Sequence, residues 1–202
     1  MIDYISTFIF FFAVIDPIGT IPVFIAVTGQ YQEKIKRKIA INATLAAALI
    51  LIFFVVAGEV ILTAIDIPLS AFQIAGGIVL FIFALSMIFG ESKPEEEIKM
   101  ASSGNETAIF PLAVPSIASP GAMLAAVLMT ENKQYNLWEQ TQTTAIMLSV
   151  LLIVLLLMLA ASWVHRLIGN SGASIISRVM GLILSSVAVA NVLAGIKEYF
   201  TI

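Results

Sequence analysis

Two long apolar runs are each interrupted near the middle by a capping residue followed by proline, and the interruptions lie at matching places in the two halves of the chain. The run FFFAVIDPIGTIPVFIAVT breaks at Asp16-Pro17-Ile18-Gly19, and the run PLAVPSIASPGAMLAAVLM breaks at Ser119-Pro120-Gly121-Ala122. Proline inside a helix removes an amide donor and clashes with the preceding turn. At the first position of a new helix it is well tolerated, because that donor has no partner anyway. Asp and Ser are good N-caps. Each site therefore reads as one helix ending, near Val14 in the first case, and another beginning at the proline.

Of 202 residues, 60% are hydrophobic and 11% are charged. Soluble domains of ordinary composition carry about 25% charge, so the apolar runs belong in a bilayer. Six helical spans fit them, at about 4–28, 40–63, 69–89, 108–130, 143–165 and 174–196. The expected fold is all-α, a polytopic membrane protein whose first and fourth helices are broken at the midplane. The longest polar stretch, about 91–107, links a first three-helix unit (1–90) to a second (108–202). No soluble catalytic head is expected, and MIDYISTFIF, with no Lys or Arg, reads as the start of a span rather than a cleaved leader. With no cysteine, thiolate metal sites and thiol redox chemistry are excluded.

Laid over one another, the halves put Asp16-Pro17 on Ser119-Pro120 and, with one residue of slippage, Gly77 on Gly181 and Leu80 on Leu184. Units with an odd number of spans must have opposite orientations, so the expectation is a 3+3 inverted repeat, an architecture of secondary transporters whose substrate site lies at paired broken helices. Lys34, Lys36, Arg37, Lys38, Lys93, Lys99, Arg166 and Arg178 fall on one side of such a fold, and only Lys133 and Lys197 on the other. The positive-inside rule then puts both termini outside a cytoplasmic (inner) membrane.

A helix beginning in mid-membrane presents unpaired N–H groups and suits an anion; a helix ending there presents carbonyls and suits a cation. The candidate substrate-binding residues are Asp16, Pro17, Ile18, Gly19 and Thr20 on one side and Ser119, Pro120, Gly121 and Ala122 on the other. A small zwitterion such as glycine or alanine fits the space between them. Asp16 is the ionisable residue placed nearest a span centre; it either recognises an ammonium group, couples a proton, or only caps its own half-helix. Gly76, Gly77, Gly181 and Asn191 are candidates for lining the pathway or for close helix packing. Pro22 and Pro115 are expected to add kinks. No cofactor, resident metal or nucleic-acid partner is expected; H+ or Na+ is the expected coupling ion. A homo-oligomer is compatible with the sequence, though nothing in it demands one.

The strings IDPIGTIPVF and PSIASPGAM, with Ala75-Gly76-Gly77, resemble the MarC family of multi-pass proteins (UPF0056 type) over almost the whole chain. The resemblance implies a fold related to the LysE-type exporters and, in some members, transport of small neutral amino acids. The alternatives are a metal or inorganic-ion permease, which needs several inward carboxylates or histidines, and a membrane regulator that transports nothing. An intramembrane aspartyl enzyme would need a second facing Asp.

Overall fold

The computed structural model describes residues 2–89, 112–132 and 134–200. The 91–107 linker, with Lys93 and Lys99, lies outside the described residues, as do Lys133 and the side chain of His165. The described chain is all-helical: α1 (Tyr4–Ile15), α2 (Thr20–Thr28), α3 (Glu33–Ala64), α4 (Leu69–Phe89), a π-helical turn α5 (Leu112–Ile117), α6 (Pro120–Leu128), α7 (Leu137–Leu159) and α8 (Ala161–Tyr199). Among the described residues, five helical stretches are long and apolar enough to cross a membrane: Tyr4–Thr28, α3, α4, α7 and Ser174–Tyr199.

Burial separates these stretches. The most apolar window of Tyr4–Thr28 is 67% buried, against 22% for those of α3, α4 and Ser174–Tyr199. The interrupted segment is thus the core of the molecule, and the unbroken helices form its wall. Leu45, Leu49, Phe53, Val56 and Val60 make an exposed stripe along α3. In water such a stripe would be an aggregation liability; in a bilayer it is the lipid-facing surface.

Three boundaries depart from the sequence expectation. The basic segment expected as a loop is the first two turns of α3, which begins at Glu33 after an extended Gln32. Glu, Lys and Arg are good helix formers with no Gly or Pro among them. A helix of 32 residues rises about 48 Å, well beyond a hydrocarbon core of about 30 Å, so the charged turns extend out of the membrane. The fifth span starts six residues early, at Leu137, because Asn136 and Glu139 form a reciprocal capping box. It stops at Leu159, and α8 follows after Ala160 alone, bending at Gly169 (φ 67°). The expected 165–174 connection is therefore two helical pieces meeting at a glycine.

The wall helices pack through small residues. A Cβ on Gly77 would lie 3.0 Å from the Ala188 carbonyl and 2.8 Å from Val192; a Cβ on Gly181 would lie 3.0 Å from the Ala84 carbonyl and from Ile88. These contacts bring α4 and α8 together backbone to backbone. Around the core, α4 packs on α6 and α8 packs on α2. At one end of the molecule Glu59 of α3 accepts hydrogen bonds from both the backbone and side-chain amides of Asn132, each at 2.8 Å.

Candidate functional site

The first break centres on Asp16. Its φ of 52° and ψ of 68° are left-handed, a conformation that Asp and Asn tolerate better than other side chains. Its amide donates to the Phe12 carbonyl at 3.0 Å and ends α1. The same residue holds the turn that follows: Oδ1 accepts from the Gly19 amide at 3.0 Å, and its carbonyl accepts from the Thr20 amide at 3.2 Å. An N-cap is usually extended; here the left-handed backbone lets one residue close α1 and hold the turn over 17–19, with Gly19 rather than Asp16 as the N-cap of α2. Gly19 is required by this arrangement, because a Cβ there would run into the Asp16 carboxylate. Pro22 has no amide to offer, and the Ile18 carbonyl instead takes the Ile21 amide at 3.2 Å, so α2 absorbs this proline in a tightened first turn.

The second break is built differently. Within α5, Val114 is extended (φ −140°, ψ 123°), and the Ala118 amide reaches five residues back to Ala113 at 2.9 Å. Ser119 is a conventional extended N-cap (φ −68°, ψ 159°) with Pro120 directly after it. Its Oγ accepts from the Ala122 amide at 3.2 Å. Relative to the proline, Ala122 occupies the same position as Gly19, but Ala122 is the third residue of α6, whereas Gly19 still precedes α2, which begins at Thr20 and not, as expected, at Pro17.

The two breaks touch. Ser119 Oγ donates to the Val14 carbonyl at 2.8 Å, one of the carbonyls that α1 leaves without a helical partner. Ser116 Oγ lies 3.4 Å from Thr20 Oγ1, which donates to the Asp16 carbonyl at 3.1 Å. A Cβ on Gly121 would stand 2.6 Å from Leu80 and 3.7 Å from Val14. Asp16, Pro17, Gly19, Thr20, Ser116, Ser119, Gly121 and Ala122 are all buried, Ile18 is half-buried and Pro120 is exposed.

The remaining candidates lie elsewhere. Gly77 and Gly181 sit at the α4–α8 contact, and a Cβ on Gly76 would collide with Leu124 of α6. Asn191 Oδ1 accepts from Gln73 Nε2 at 3.2 Å, another α4–α8 link. Ser116 was not among the candidates; a lone serine between Pro115 and Ile117 carries no local signal, and its meeting with Thr20 is wholly tertiary. Among the described residues, no group of three or more His, Cys, Asp or Glu is arranged to hold a metal ion.

The family profile described as MarC family integral membrane protein matches residues 1–200. A UPF0056 membrane protein of Methanocaldococcus jannaschii is 36% identical over 197 residues, covering 96% of each chain. One from Archaeoglobus fulgidus is 33% identical over 96% of this chain and 92% of its own, and one from Buchnera aphidicola is 32% identical over 98% and 93%. No solved structure matches the chain.

Proposed function

Since this chain belongs to the MarC family of integral membrane proteins, we propose that it is a secondary transporter of small neutral amino acids of the glycine and alanine kind, working by alternating access. The observation that carries the reading is the meeting of two helix interruptions inside the protein through Ser119 and the Val14 carbonyl. Irregular backbone at membrane depth is tolerated only where protein or a polar cavity satisfies it.

In this reading α5 and α6 are the fourth span, and the fold is a 3+3 inverted repeat with its linker in the cytoplasm and both termini outside. Paired contacts support the repeat: Gly77 against Ala188 and Val192 mirrors Gly181 against Ala84 and Ile88, at the offset that lays Leu80 on Leu184. The α4–α6 and α8–α2 contacts pair in the same way.

The two breaks differ in charge, and the difference sets how a zwitterion would lie. At α2 the N-terminal positive end already faces the Asp16 carboxylate, so that side offers negative charge to an ammonium group. At α6 the cap is neutral Ser119, and the helix end remains able to take a carboxylate. The Gly121 amide has no carbonyl of its own helix to bond. Binding would displace the Ser119–Val14 and Ser116–Thr20 contacts, and rocking of one repeat against the other would expose the site to each side in turn, driven by an H+ or Na+ gradient.

Radiolabelled glycine and alanine uptake into proteoliposomes tests the proposal. Saturable uptake under a proton or sodium gradient is expected; no uptake under either gradient would sink it.

A further inference from the structure

A cavity of about 580 Å3 lies on the side of the molecule that carries the N-terminus, bounded by α1, α7 and α8. It reaches Ala13, one residue short of the Val14 carbonyl that holds Ser119. The counterpart on the opposite side, between the end of α2, the start of α3 and the end of α7, is only about 60 Å3.

Two threonines set the larger cavity apart. Thr7 and Thr143 both line it and are 7% and 2% exposed. Thr20, Thr28, Thr44, Thr130 and Thr144 each donate to the carbonyl four residues back, the usual resting place for a hydroxyl on a buried helix. Among the described residues the Thr7 and Thr143 hydroxyls make no such bond, and neither oxygen is fully enclosed; both residues line the cavity instead. A hydroxyl that opens on a cavity and makes no bond within the protein takes its hydrogen bonds from water or a polar ligand. At about 30 Å3 of liquid volume per water, the space is far larger than a single small amino acid needs, and suits one with its hydration shell.

We infer that this cavity is the aqueous entrance to the break site, open to the face of the N-terminus, and that Thr7 and Thr143 give a hydrated small zwitterion its first hydrogen bonds there. The inference rests on the transporter reading for its ligand. It rests on the cavity and the two hydroxyls for its water.

The chain has no cysteine, so single substitutions in the full-length protein report directly on water access. Thr7→Cys and Thr143→Cys are close in size to the native residues and sit on different helices. Ser6→Cys marks the cavity mouth, and Leu152→Cys marks lipid, since Leu152 is exposed on α7. Each is treated, in membranes of known sidedness, with a membrane-impermeant methanethiosulfonate reagent applied to one face. Because only the ionised thiol reacts, both buried cysteines should be modified about tenfold or more faster than the lipid-facing one, and only from the face of the N-terminus. If both stay as slow as the Leu152→Cys control while Ser6→Cys is modified, the cavity is filled by lipid and the inference is overturned. Modification from the opposite face alone overturns it as well. No substrate is used, so a protein that carries no amino acid can still pass this test, and one that does can still fail it.

Discussion

The two breaks solve one problem with unlike chemistry. Both hold the amide two residues after a proline, but the first uses a carboxylate on a left-handed backbone and the second a hydroxyl on an extended one. The first sets a carboxylate against the start of the next helix; the second places only a neutral hydroxyl at its helix end and donates that hydroxyl's proton to the first break's carbonyl. On the proposed inverted repeat, halves that correspond but differ in charge would offer opposite partners across one point. That suits a ligand carrying both charges better than a simple anion or cation.

Asp16→Asn should separate the two breaks most sharply. It keeps the left-handed tolerance and the cap oxygen but removes the charge, so the fold should persist. Uptake should fall about 100-fold or more, the order expected when one partner of a buried, hydrogen-bonded charge pair is lost. Ser119→Ala should reduce uptake less, since it removes no charge; equal losses would erase the proposed division of roles.

Next in size is a comparison of glycines. Gly19→Ala forces a methyl group into the Asp16 carboxylate, and the thermal stability of the detergent-solubilised protein should drop by about 2 kcal/mol. Gly121→Ala meets only the end of the Leu80 side chain at 2.6 Å, which has more freedom to turn aside, and should cost about 1 kcal/mol. The reverse order would mean that the second break is the more rigid.

A smaller contrast lies between the serines. Ser119→Ala loses a cap and the bond to Val14 and should cost about 1–2 kcal/mol. Ser116→Ala loses a 3.4 Å contact and should cost about 0.5 kcal/mol or less. The smallest effect belongs to Asp3, a charged cap at the start of α1. Hydrogen bonds from Ser6 hold its carboxyl below the usual carboxylate range. A lowered folded-state value means its stabilisation is complete above the ordinary carboxylate pKa and is lost as pH falls through the folded one. Hydrogen-exchange protection of the Ile5 and Ser6 amides should therefore weaken on acidification, while unchanged protection would show that the cap does not depend on charge.

Where the chain punctuates itself, the fold was legible. Pro68 and the Asp66 turn mark the start of α4, which runs over Leu69–Phe89 as expected, and Asp-Pro and Ser-Pro mark the two interruptions. Charge was misleading at Glu33–Lys38, where a solvated helical extension and a loop look alike in composition. The Asn136/Glu139 capping box was present in the sequence, but the apolar run alone placed that start six residues late. The left-handed Asp16, the Ser119–Val14 bond and the role of Ser116 arise from tertiary contact and have no local signature. The small residues around Gly77 and Gly181 were visible as candidates, yet only packing distinguishes a helix contact from a pathway.

Equilibrium binding of radiolabelled alanine to the purified protein, with glycine, acetate and methylammonium as competitors, asks whether the paired breaks act as a single receptor for both ends of the ligand. Glycine should displace alanine, and neither singly charged fragment should do so at comparable concentration. Absence of saturable alanine binding, or displacement by either fragment as effective as by glycine, would contradict the account.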